Sequence, residues 1–223
     1  MSTSPGDPAR YNSFLTDLLG AMAYGELSAF ERLSSDARYA PTLHDRAVLG
    51  RIAVIEFQHY ELVSAKLEAM GVDAEAAMLP FQPSVDHFHE RTRPADWYES
   101  LMKAYVIDTV TADFYRAVSR GVDAGTRALV EQIQADEGAT GALRERLRTA
   151  LANDPRLSSR LSLWARRLLG EALTQMQRAG FEHAFVGGPV GAEAEQSKDF
   201  VPRLMAELAA NHSRRMTQLG LAG

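Results

Sequence analysis

The stretch Ile52-Ala53-Val54-Ile55-Glu56-Phe57-Gln58-His59-Tyr60-Glu61-Leu62-Val63 decides how this chain is read. Leu49, Ile52, Val63 and Met70 recur every three or four residues, the period of one helix face. Glu56, His59 and Lys66 fall on the same line. Glu56 and His59 stand on consecutive turns and so point the same way, into whatever the apolar stripe packs against. Burying a carboxylate and an imidazole is costly unless they meet a partner charge or a metal. A Glu-x-x-His pair facing the inside of a helix bundle is how carboxylate-bridged di-iron and di-manganese sites are built. The competing explanation is a buried ion pair that holds helices in register.

Working outward, strand signals are almost absent and long 3.6-period stretches dominate. The pattern predicts helices over about 11–34, 43–70, 95–120, 124–152, 157–179 and 200–220. Pro41 and Gly71 bracket the second helix as start and stop signals, and Asn153-Asp154-Pro155 ends the fourth. Residues 1–10 read as a flexible N-terminus, and Gly71 to Arg93, with Pro80 and Pro83, as a long crossover. Phe181 to Lys198, with Gly187-Gly188-Pro189, reads as a loop. Short links make helices one and two, and three and four, antiparallel hairpins; a single long crossover joins them. The expected fold is all-α: a single domain over 1–223 in which a four-helix bundle (11–152) carries two further C-terminal helices (157–220) outside it.

Each bundle helix places one acid on its apolar stripe. Glu26 interrupts Leu15, Leu18, Met22, Ala29 and Leu33, and Asp108 interrupts Leu101, Tyr105, Ala112 and Tyr115. On helix four Asp136 interrupts Leu129, Ile133, Thr140 and Leu143; Glu137 lies about 100° off that line, so Asp136 is the preferred inward acid. Glu26 to Glu56 and Asp108 to Asp136 have nearly equal spacings, which sets the four acids at about one height in the bundle. Four buried carboxylates at one level repel unless a cation sits between them or some are protonated. The second half departs at its imidazole. Ala139 stands where His59 stands if Asp136 matches Glu56, and Thr140 does if Glu137 is the match.

The bulk composition narrows the chemistry. The chain has 223 residues, 46% of them hydrophobic, and a net charge of −5, so it carries no global nucleic-acid footprint. Without cysteine there are no disulfides, iron–sulfur clusters or thiolate zinc sites; His, Asp and Glu remain as ligands. No signal peptide or membrane span is legible, which makes a cytoplasmic protein the expectation. Asp113, Glu31 and Glu61 read as solvated or paired surface charges, His87 and His89 as polar loop residues, and His212 as a hydrogen-bonded core histidine. Arg144, Arg146, Arg148, Arg166 and Arg167 read as solvated helix faces before RNA contacts.

The segments Ile55-Glu56-Phe57-Gln58-His59-Tyr60-Glu61, Leu169-Gly170-Glu171-Ala172-Leu173-Thr174-Gln175 and His212-Ser213-Arg214-Arg215-Met216 resemble the ferritin-like superfamily. More narrowly, they resemble actinobacterial proteins related to MiaE, the tRNA-(2-methylthio-isopentenyl-adenosine) hydroxylase. That resemblance implies a non-haem iron centre of one or two ions that activates oxygen, with Glu26, Glu56, His59, Asp108 and Asp136 in ligand positions. A tRNA or small-molecule substrate, an electron-donor protein and a second copy of the chain in a homodimer are the candidate partners. The alternative is a degenerate scaffold that binds partners without catalysis; metal storage or peroxide detoxification is disfavoured by the two extra helices.

Overall fold

The computed structural model describes residues 8–135, 137–182 and 194–221, and all regular structure among them is helical. Helix α1 (Pro8–Asp36) and α2 (Leu43–Ala69) form the first hairpin, and α5 (Trp97–Val118) opens the second. The second hairpin's return arm is split into α6 (Ala124–Gln134) and α7 (Glu137–Asn153). Short helices α3 (Ala74–Met78) and α4 (Gln82–Arg91) lie in the crossover, and α8 (Leu157–Glu182) and α9 (Ala194–Gln218) complete the chain.

Local chemistry sets these boundaries. Thr42 starts α2 by accepting from the Asp45 amide at 3.0 Å, and Asp96 starts α5 by accepting from Glu99 at 3.0 Å. Gly71 and Gly220 end their helices at φ 74° and 78°. In each case the next residue's amide reaches back five residues, Val72 to Leu67 and Leu221 to Met216, closing the exposed carbonyls.

The core falls into two apolar clusters, and their membership gives the helix directions. Leu15, Leu18 and Met22 of α1 sit in one cluster and Leu33 in the other. On α2 the order is reversed, with Leu49 and Ile52 opposite Val63 and Leu67. Leu101 and Val110 of α5 join the cluster of Leu49, whereas Tyr115 and Val118 join that of Val63. So α2 and α5 run parallel. Parallel helices cannot be joined by a tight turn, and the chain must travel back along the bundle through residues 70–96. This is the single-crossover topology expected from the sequence.

Several segments differ from the sequence reading. The crossover is not a loop: Pro80 and Pro83 stand in the first turns of a 3-10 turn and of α4, where a missing amide costs nothing. His87 and His89 therefore lie on a helix. The N-terminal helix starts at Pro8, within the segment read as flexible. The fourth helix, expected to be continuous, is interrupted after Gln134. Of the segment read as a loop, 181–182 continue α8 and 194–198 open α9; 183–193 lie outside the described residues. Asp113 is buried rather than on the surface. It accepts from Arg215 at 2.7 and 2.9 Å and from Asn211 at 2.8 Å, and so ties α9 to α5.

Candidate metal centre

The break between the two apolar clusters is where the polar residues gather. On α1 Glu26 falls between Ala23 of one cluster and Leu33 of the other; on α2 Glu56 and His59 fall between Ala53 and Val63. Thr140 near the start of α7 occupies the same interval, between Ile133 of α6 and Leu143 of α7. Asp108 on α5 lines the same cavity as these four side chains. The stripe reading therefore brings Glu26, Glu56, His59 and Asp108 to one place. Asp136 lies outside the described residues.

Glu26, Glu56 and His59 form the tight part of the site. One ligand atom from each lies within 4.8 Å of the other two. Nδ1 of His59 is 3.7 Å from an oxygen of Glu26 and 3.7 Å from one of Glu56, ion-pair contacts too long for direct hydrogen bonds. All three side chains are largely buried. Burial pushes the Glu56 carboxyl up to about 8, with His59 opposing and the Glu26 charge reinforcing the rise. Burial alone would lower His59; its two carboxylate neighbours overcome that and raise it to about 10. Both shifts favour the protonated forms of Glu56 and His59.

Asp108 faces this cluster from α5 and accepts a short hydrogen bond from the Thr140 hydroxyl. Burial raises its carboxyl to about 6, Thr140 and His59 working against the rise and Glu56 with it. Tyr115 stands behind Glu26: a Cβ on Gly25 would lie 3.4 Å from its hydroxyl, and burial, then the Glu26 charge, raises its pKa. Phe30, Phe57 and Tyr60 pack as tilted rings between α1 and α2, with centroids 5.1 and 5.5 Å apart.

The cavity has a volume of about 250 Å³ and runs along the C-terminal half of α1, from Ala21 to Asp36, and along α5 from Ser100 to Tyr115. Most of its wall is aliphatic or aromatic, including Leu33, Ile52, Phe88 and Ile107. Helix α8 supplies Ala172, Gln175 and Met176, so this C-terminal helix is part of the wall rather than only an outer layer.

Residues 9–193 match the model of a family described as a ferritin-like domain of actinomycetes. The chain belongs to this family. Two solved structures share the ferritin-like bundle. A Bacillus halodurans protein assigned as a class I ribonucleotide reductase is 13% identical, covers 96% of this chain and 81% of its own, and has a TM-score of 0.66. A Synechococcus protein with aldehyde deformylating oxidase activity is 18% identical, covers 96% of both chains, and has a TM-score of 0.64. No curated protein matches the sequence. At these identities the two structures establish the architecture of the ferritin-like chain and nothing finer.

Sequence reasoning missed several polar residues of the cavity, Arg32, Asp36, His89, Ser100 and Lys103 among them. Lys103 is 5% exposed, although a basic residue off the main stripe of α5 reads as solvent-facing. Helix α5 is covered on more than one side, by α7, α8 and α9, so a single apolar stripe understates its buried surface. The spacing Ser100, Lys103, Ile107, Val110, Phe114 was the available signal. His89 was assigned to a loop, and Gln175 was noted without chemistry; both line the cavity. Arg32 is exposed and lines it too, which places Arg32 at the mouth.

Proposed function

We propose that this ferritin-like protein is a non-haem iron oxygenase of the hydroxylase type, acting on an apolar group held in the cavity. The observation that carries this reading is the buried Glu26–Glu56–His59 cluster opening into an apolar chamber. Two carboxylates and one imidazole form a donor set suited to iron, and their convergence within 4.8 Å fits one ion. Glu26, Glu56 and His59 would hold it, with Asp108 as a further carboxylate. Iron bound there supplies oxygen activation.

The chain's own residues do the rest. Glu56 and His59 would hold the ion in their deprotonated forms. Thr140 fixes the orientation of Asp108 through its hydrogen bond. The apolar wall keeps water from the reacting group and presents the substrate's hydrocarbon part to the cluster. The known oxidase activity of the Synechococcus structural neighbour is compatible with this chemistry in a bundle of the same shape. The MiaE-like resemblance supplies the hydroxylase class. A net charge of −5 gives little to neutralise a nucleic-acid backbone, so a small molecule is favoured over a modified tRNA. An external electron-donor protein completes the proposal.

Anaerobic titration of the full-length protein with ferrous iron tests it. One tight equivalent, lost in Glu56→Gln and in His59→Ala, is the expected result, followed by oxygen-dependent oxidation of the iron. Absence of any tight binding would replace the oxygenase with the degenerate-scaffold reading.

A further inference from the structure

The cavity is chemically polarised along its length. At one end stand the acids of the candidate metal centre. At the other stand Lys103, Arg32 and His89, with Asp36 and Ser100. Along α5, Lys103 precedes Asp108 by five residues, about 7.5 Å of helix rise. Along α1, Arg32 follows Glu26 by six, about 9 Å. Apolar residues such as Leu33, Ile52 and Ile107 fill the interval.

Lys103 is buried, yet among the described residues only one of its three N–H donors has an acceptor, the Thr92 carbonyl at 3.0 Å. Its ammonium also sits 5.4 Å from the Phe88 ring centroid. Asp36 lies near enough to interact with it, and accepts from Ser100 at 3.1 Å. Asp36 balances one cation, and Arg32, which makes no hydrogen bond or ion pair to a described residue, leaves a second positive charge at the mouth. Two more polar atoms want partners. Nδ1 of His89 and Nε2 of Gln175 are buried without a hydrogen bond among the described residues, and both residues line the cavity. Burial holds His89 neutral at about 2, with Lys103 and Arg32 adding to the effect, so the imidazole offers one N–H and no charge.

We propose that this end of the cavity is a head-group subsite for an amphipathic carboxylic acid, its carboxylate between Lys103 and Arg32 and its hydrocarbon tail directed at the Glu26–Glu56–His59 cluster. The inference rests on the oxygenase reading only for what happens at the tail; binding of the head does not. An acid with a medium-length chain spans the interval, and a cationic amphiphile is repelled from the same end. The orientation also places a C–H bond remote from the carboxylate, rather than the carboxylate itself, beside the candidate metal centre.

Calorimetric titration of metal-free, full-length protein with sodium octanoate, octan-1-ol and octylammonium chloride tests the subsite. Octanoate is expected to bind about tenfold more tightly than octanol, the worth of one good hydrogen bond to a charged group, and octylammonium the most weakly. Lys103→Met keeps the apolar stem and should remove that about tenfold preference while leaving octanol within about twofold. Arg32→Gln, at an exposed position that does not threaten folding, should weaken octanoate in the same direction and decides the matter if Lys103→Met does not fold. Equal binding of octanoate and octanol, or octanoate binding indifferent to these substitutions, would overturn the subsite. With cobalt(II) loaded, the terminal methyl of bound octanoate should relax faster than its C2 protons; the reverse order overturns the orientation. If no cobalt binds but octanoate binding depends on Lys103, the metal reading fails and the head-group subsite stands.

Discussion

His59 is held between two carboxylates, and that local arrangement sets how the site responds to pH. Its folded-state value, about 10, lies above the ordinary value of about 6.5, and Glu56 at about 8 lies above the ordinary value of about 4.3. Both groups bind protons more tightly in the folded than in the unfolded chain. Their contribution to stability is therefore complete at low pH and is lost as pH rises through the folded values. For the metal-free protein the two windows overlap between about pH 6.5 and 8, where urea unfolding should show stability falling as pH rises. A bound cation does the protons' work, so saturating ferrous iron should flatten or reverse that slope. A metal-free stability that rises across the same window would show that His59 and Glu56 are not the protonated pair described. The reason these two residues were legible in the sequence is their rarity: charge on an apolar stripe has few explanations. Lys103 was not legible, because its burial depends on α7, α8 and α9 covering further faces of α5, which no single-helix pattern contains.

At the scale of elements, the close approach of the crossover to α1 turns on one missing side chain. A Cβ on Gly20 would lie 2.1 Å from the Ala77 carbonyl oxygen and 2.7 Å from its carbon, backbone atoms of α3 that cannot rotate aside. Gly50, on α2, has nothing within 4 Å of its own Cβ position. The same substitution should therefore have opposite signs. Gly50→Ala gains helix propensity and should stabilise the fold by about 0.5–1 kcal/mol. Gly20→Ala must push α3 outward, and should destabilise by about 1–3 kcal/mol and speed hydrogen exchange in α3 and α4. Urea midpoints of the two variants, measured side by side, check this; a stabilised Gly20→Ala would mean that α3 is not seated on α1. These crossover helices were hidden in the sequence because Pro80 and Pro83 read as breakers, whereas proline in a first turn is compatible with a helix. The long helices were legible because length and period agree. The interruption between α6 and α7 was legible only in part: Gly138, a poor helix former, hinted at a kink that would leave Asp136 exposed, but the apolar stripe of helix four continues across it in the sequence.

Taken whole, the bundle is two hairpins facing one another across a polar layer, and that layer is unequal. The first hairpin contributes Glu26, Glu56 and His59; the second contributes Asp108 and the hydroxyl of Thr140. Glu137 precedes Thr140 by the same three residues that separate Glu56 from His59. The contact of Thr140 with Asp108 therefore favours Thr140, over Ala139, as the position facing His59 across the bundle. A hydroxyl is a weak metal donor, and it already serves Asp108 as a hydrogen-bond partner, so the second half offers oxygen ligands without an imidazole. The expected stoichiometry is therefore one ion per chain. Thr140→His restores the missing nitrogen at the wall of the existing cavity and should raise tightly bound iron from about one toward two equivalents, as a second set of carboxylate and imidazole ligands requires. Ala139→His should not. Elemental analysis of both variants beside the unaltered protein, after removal of loosely bound metal, makes the comparison. Two equivalents in the unaltered protein would refute the asymmetry, and a gain in Ala139→His alone would return the role to Asp136 as the counterpart of Glu56.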